Sequence, residues 1–123
     1  MREVLGHLID SAANNHVRFV RAAIEDDMVF PGYAQNEWVE AQRYNDRDWD
    51  DLIDLWERYN RHIANVIRSI PPAAMKRERT RHNLDEIAWR TVPRGEPVTL
   101  EYFVDDYIAH LEHHLTQIRK IPR

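Results

Sequence analysis

The residues of this chain best suited to chemistry are histidines. His110 and His114 stand four positions apart in the segment Asp105-Asp106-Tyr107-Ile108-Ala109-His110-Leu111-Glu112-His113-His114. At about 100° per residue, four steps along an α-helix return nearly to the starting direction, so both imidazoles leave one face, a turn apart. Two neutral ring nitrogens placed in this way can grip a transition metal. A third histidine, His7, lies near the other end of the chain inside an otherwise apolar helical pattern. If the fold sets His7 opposite the pair, three nitrogens hold a divalent ion and leave positions open for water or substrate, as in a catalytic rather than a structural site. Such a donor set suits zinc, nickel or another borderline cation, able to polarise a carbonyl or lower the pKa of a bound water or thiol.

Spacing alone leaves the function open. The chain has seven histidines, and pairs four apart arise by chance at that frequency. Leu111 follows His110 where the zincin motif requires glutamate, so that peptide-level signature is absent. The neighbours of the histidines say more. His7 shares a helical face with Asp10, Ser11 and Asn14, a polar strip that suits a wet cavity. His110 and His114 share theirs with Phe103, Tyr107 and Gln117, at the edge of an apolar stripe. His113, rotated by about 100°, is expected at solvent or at a rim, and His16 on nearly the opposite side of its helix from His7. His62 and His82 are expected on exposed polar surface, and Trp49, Trp56 and Tyr59 in the core. Asp10, Asp106 and Gln117 are candidates to accept the second N–H of a ligand imidazole.

Three amphipathic segments must position these groups. The first runs from Arg2 to Ile24, with Val4, Leu5, Leu8, Ile9, Ala12, Val17, Val20 and Ile24 at helical spacing. Pro31-Gly32 marks a turn, followed to Asn45 by a long connection with a short helical turn near Trp38. A second helix starts near Asp48, which can cap it. It carries Leu52, Ile53, Trp56, Tyr59, Ile63, Val66, Ile67 and Ile70 inward, and ends at Pro71-Pro72. A short helical piece is expected around Ala73–Glu78, then a polar loop through Pro93, Gly95 and Pro97. Thr99 is the expected N-cap of the final helix, whose stripe is Leu100, Phe103, Val104, Tyr107, Ile108, Leu111, Leu115 and Ile118, continuing to Ile121. Strand signals are nearly missing. The expected fold is an all-α helical bundle in one domain spanning 1–123.

Composition narrows the function. The net charge is −4, and the basic residues, interleaved with acids as in Arg47-Asp48, Glu57-Arg58 and Glu78-Arg79, read as a salt-bridged exterior. Nucleic-acid binding is therefore not expected. Cysteine is absent, which removes disulfides, thiolate metal sites and a cysteine nucleophile. No 18-residue apolar stretch and no signal-like opening occurs, so a cytoplasmic protein without membrane contact is expected.

The segment from Gly6-His7-Leu8-Ile9-Asp10-Ser11 to Phe19 resembles the histidine helix of the DinB-like (DinB/YfiT) superfamily. Pro31-Gly32-Tyr33, Trp38-Val39, Gln42-Arg43-Tyr44 and Leu55-Trp56-Glu57-Arg58-Tyr59-Asn60-Arg61-His62 are similar to the same group. The closing stretch from Thr99-Leu100-Glu101 to Leu115 is the most telling part. The resemblance implies a four-helix bundle holding a divalent metal, zinc or nickel, on His7, His110 and His114. It implies a dimer acting on a small molecule, either as a metal-dependent hydrolase or as a transferase using a low-molecular-weight thiol. Asp10, Asn14 and Tyr107 would position substrate or relay protons. Members usually carry another helix and a loop before the histidine helix. This chain begins five residues before Gly6 and is read as lacking that helix, as a truncation or with a neighbouring subunit supplying the wall. The competing reading is a non-catalytic metal-binding or dimerising bundle that acts as an interaction module.

Overall fold

A computed structural model describes residues 1–120, and among them every extended element is helical: α1 (Arg2–Ile24), α2 (Gln35–Gln42), a 3-10 turn (Tyr44–Asp46), α3 (Trp49–Ser69), α4 (Pro72–Lys76), α5 (Leu84–Ile87) and α6 (Leu100–Lys120). Ile121, assigned above to the last helix, lies outside the described residues. The boundaries follow local chemistry. The Asp48 carboxylate accepts the N–H of Asp51 at 3.1 Å, with Asp50 and Asp51 in the first turn of α3 favouring its positive end. Pro71-Pro72 stops α3, and Pro72 then opens α4 where its missing N–H costs nothing. Thr99 Oγ1 accepts the N–H of Tyr102 at 3.0 Å and starts α6.

The central element is α1, which packs against α3, α6 and α2. The larger core cluster joins Ala12, Phe19 and Ala22 of α1 to Ile63 of α3, Phe103 and Tyr107 of α6, and Met28 and Phe30 of the following connection. The Phe19 ring meets Phe103 and Tyr107 edge-on at 5.7 and 5.6 Å, a favoured aromatic geometry. A smaller cluster of Leu5, Ile9, Tyr44 and Leu52 closes the end of the bundle that carries His7. Gly6 lets this happen. A β-carbon there would overlap the Tyr44 ring, so the ring can lie against the α1 backbone only because residue 6 has no side chain.

The expected stripes hold in part. Leu5, Leu8, Ile9 and Ala12 are buried, but Val17 is 55%, Val20 39% and Ile24 80% exposed. Along the second half of α1, Phe19 and Ala22 turn inward instead, and the valine–isoleucine row faces out. On α3 only Leu52 and Ile63 are buried within the helix, while Trp56, Tyr59, Val66 and Ile67 are half-covered. Ile108 of α6 is exposed as well.

Two readings of polar residues are corrected in the connection between α3 and α6. His82 is buried, not on an exposed surface: its Nδ1 accepts the N–H of Leu84 at 3.1 Å, and Nε2 donates to the Glu96 carbonyl at 2.7 Å. Arg79 is not part of a salt-bridged exterior. Its buried guanidinium donates to the carbonyls of Ala22, Glu25 and Ala74 at 2.8, 3.1 and 2.8 Å. A helix end leaves carbonyls without intrahelical partners and carries partial negative charge, and Arg79 satisfies both conditions at the end of α1. Asn83 fastens the same region: its amide accepts the Phe30 N–H at 2.9 Å and donates to the Phe30 carbonyl at 2.7 Å.

Candidate metal centre

Helices α1 and α6 bring the three histidines together. His7, His110 and His114 each offer a ring nitrogen, and these atoms all lie within 4.8 Å of one another. Nε2 of His110 and Nε2 of His114 are 2.8 Å apart, an approach that the spacing of four on one helix allows. The His7 ring faces the pair from α1, its centroid 5.7 Å from that of His110 and 5.0 Å from that of His114. All three side chains are half-buried. The surroundings favour the neutral form of His110 and His7. Burial, followed by the neighbouring His114 and His7, pushes His110 down to about 4. Burial also lowers His7, with His114 adding to the effect and the Asp10 charge opposing it. Neutral imidazoles keep the lone pairs that a cation needs. Three nitrogens and no thiolate form a borderline donor set, and their spacing is one that a single ion can bridge after small side-chain rotations.

Of the expected second-nitrogen partners, Gln117 is in place: its Oε1 lies 2.9 Å from Nδ1 of His114. Asp106 is not. Its carboxylate accepts the backbone N–H groups of Trp89 and Arg90 at 2.9 and 2.7 Å and pairs with the Arg90 side chain at 3.1 Å, anchoring the incoming loop to α6. Asp10 is 2% exposed. Its Oδ1 accepts from Tyr44 Oη at 2.6 Å and Gln42 Nε2 at 2.8 Å, while Oδ2 is buried without a partner. Asn14 donates to the Asp10 carbonyl at 2.9 Å. Tyr107 donates to Asn60 Oδ1 at 2.6 Å, and burial raises its hydroxyl pKa. His113 sits on the exposed rim, and His16 faces α3, where its Nδ1 lies 2.9 Å from Tyr59 Oη.

Two clefts meet at the histidines. One, of about 290 Å³, is lined by His110 together with Ser11, Arg18, Tyr33, Trp89 and Tyr107. The other, of about 460 Å³, is lined by His7, His114 and Gln117 with Val39 and Glu40 of α2, and Gln35 borders both. Trp89 stacks on His110 at 5.3 Å and 27°. Sequence reasoning missed Trp89, which comes from a loop without periodicity. It also missed Arg18, although an offset of eleven from His7 returns to within about 20° of the same helical direction.

A family model described as the DinB superfamily matches residues 1–118. Two curated relatives are OB0782 of Oceanobacillus iheyensis and YfiT of Bacillus subtilis, each named "putative metal-dependent hydrolase". The first is 26% identical over 121 residues, covering 98% of this chain and 63% of the relative; the second is 24% identical over 123 residues, covering 100% and 64%. The solved structure of Bacillus subtilis YfiT, described as having an unusual four-helix bundle topology, superposes with a TM-score of 0.75 at 23% identity, covering 97% of this chain and 62% of that one. The all-α bundle is thus the one found in that structure. The chain spans less than two thirds of the length of these relatives.

Proposed function

The chain belongs to the DinB superfamily, and from that premise we propose that it is a metal-dependent enzyme whose divalent ion, zinc or nickel, is held by His7, His110 and His114. The observation that carries this reading is the convergence of three ring nitrogens, from helices at opposite ends of the sequence, where two clefts meet. When bound, the ion supplies Lewis acidity and lowers the pKa of a coordinated water or low-molecular-weight thiol, which serves hydrolysis or thiol transfer to a small electrophile. Gln117 accepts the Nδ1–H of His114 and so presents Nε2 to the site. Asp10, whose buried Oδ2 has no partner, acts on His7 through its charge and favours the protonated ring. Tyr107 borders the His110 cleft and holds its proton well above neutral pH, which suits it to orient substrate by hydrogen bonding. Asn14 fixes the α1 backbone at Asp10.

Elemental analysis of the protein purified without a tag tests the centre. About one equivalent of zinc or nickel is expected, lost in His110→Ala; equally low metal in both proteins would sink the reading. Turnover of electrophiles with and without added thiols then separates hydrolase from transferase. A second reading, a non-catalytic bundle that dimerises, draws on the exposed row of Val17, Val20 and Ile24. Light scattering reads the dimer directly, and metal-dependent turnover by the wild type would exclude a purely non-catalytic role.

A further inference from the structure

Arg18 lies three turns beyond His7 on the same face of α1, about 16 Å further along the axis. Its side chain is 6% exposed, yet it lines the His110 cleft. Nη2 donates to the Pro31 carbonyl at 3.1 Å and Nη1 to Asn15 Oδ1 at 3.4 Å. Among the described residues it forms no ion pair with a carboxylate. A guanidinium remains charged and carries five N–H donors, so these two bonds leave most of its capacity unused. Burial of a charge without an opposite charge is unfavourable; besides these two bonds the guanidinium carbon stands 5.9 Å from the centroid of the Tyr33 ring, a cation–π contact that supplies no counter-charge.

The acids around the same cleft do not supply the missing partner. Asp106 is paired with Arg90 at 3.1 Å, and Glu86 with Arg94 at 3.3 Å. What remains open beside Arg18 is a small volume of about 290 Å³ with neutral polar groups at Ser11, Asn15 and Gln35 and aromatic surface at Tyr33 and Trp89. Planar guanidinium matches a planar carboxylate bidentately. A dianionic phosphate would bring a second charge toward Glu86 and Asp106 with a single arginine to meet it.

Resting on the metal-centre reading above, we propose that the substrate is a small molecule bearing a carboxylate, which Arg18 holds in this cleft while the reactive end of the molecule lies at His110. The carboxylate sets which molecules are accepted, and the histidines set what is done to them.

The test compares phenylacetate with phenylacetamide and phenyl phosphate, titrated calorimetrically into the full chain. Wild type and Arg18→Gln are compared, each with added zinc and after chelation, with metal content measured on the same samples. Expected is a preference of about tenfold or more for the acid over the amide in wild type, present in the chelated protein and lost in Arg18→Gln, the size of one charge-assisted contact. Equal binding of acid and amide, no saturable binding at millimolar concentration, a preference that survives in Arg18→Gln, or tighter binding of phenyl phosphate would each overturn the proposal. If Arg18→Gln does not fold, Arg18→Lys keeps the charge but not the fork; a weakened preference supports the proposal and an unchanged one overturns it. A wild type that holds no metal but still prefers the acid leaves the Arg18 site standing and removes the metal centre, so the two readings fail separately.

Discussion

Oε1 of Gln117 stands 2.9 Å from Nδ1 of His114, and the opposite nitrogen of the same ring stands 2.8 Å from Nε2 of His110. A hydrogen bond at one end of an imidazole fixes which nitrogen keeps its lone pair at the other, so Gln117 selects the tautomer that points a donor pair into the site. Gln117→Ala should therefore lower metal affinity without removing the site. Outer partners of this kind are worth about 10–100-fold in affinity, and the exposure of Gln117 places this one at the weaker end. Competition with a chromogenic chelator measures it. An unchanged dissociation constant in Gln117→Ala would show that the contact does not orient the ring.

The depressed histidines give the metal-free protein a defined acid sensitivity. His110 is pushed down to about 4, chiefly by burial and then by His114 and His7, and His7 is lowered in the same direction. An unfolded histidine takes up its proton near pH 6.5. Between that pH and about 4 the unfolded chain binds protons that the folded chain refuses, so stability falls as the pH is lowered through this window. Above it both states are neutral at these positions and the contribution vanishes. Urea midpoints measured on chelated protein between pH 7 and pH 4.5 should fall more steeply in wild type than in His110→Ala. Parallel curves would contradict the assignment.

Much of this was legible in the sequence because it is local. Asp48 and Thr99 announce helix starts through one side-chain oxygen each, Pro71-Pro72 announces a stop, and the spacing of four between His110 and His114 survives any packing of α6. The meeting of His7 with that pair depends on how α1 lies against α6, which spacing on either helix alone does not fix; the family resemblance supplied it. What stayed hidden lies in the irregular connections. His82 and Arg79 look like surface residues because their partners are backbone carbonyls and amides, which carry no residue type to recognise. Asp106 is one of three acidic or amide side chains that the sequence offers as partners for a ligand ring without choosing among them, and it holds the backbone of Trp89 and Arg90 instead. The inward face of α1 matches the expected stripe from Leu5 to Ala12, whereas the valines expected to continue it lie outside the bundle.

The contact between Gly6 and Tyr44 links the backbone of α1 to the buried Asp10 below His7. Tyr44 can donate to Asp10 at 2.6 Å only while its ring occupies the space that a β-carbon at residue 6 would fill. Gly6→Ala gains intrinsic helix propensity of about 1 kcal/mol, yet should destabilise the fold by about 1–3 kcal/mol through overpacking. Tyr44→Phe keeps the ring but leaves the Asp10 carboxylate with Gln42 as its remaining side-chain donor, at a cost of about 1–3 kcal/mol. Denaturant unfolding reads both. A stabilised Gly6→Ala would mean that the ring moves aside freely and that propensity decides the sign.

Arg79 is the strongest single test of the connection between α3 and α6. One guanidinium satisfies the Ala22 and Glu25 carbonyls at the end of α1 and the Ala74 carbonyl of α4, and so ties two segments together through three acceptors. Removing it as Arg79→Ala leaves buried acceptors without partners, each costing about 1–3 kcal/mol where water does not enter. Arg79→Lys keeps the charge but presents a single nitrogen in place of a planar fork, so it should recover less than half of the loss. Because the fold sets α4 and the chain after it against α1, the damage should reach the loop that carries Trp89 as well. Hydrogen exchange should therefore show faster opening at the Arg79 and Val98 amides, which bond to each other's carbonyls at 2.8 and 3.1 Å. Full stability in Arg79→Lys would show that charge at the α1 terminus, not the three-way bridge, is what holds these segments together.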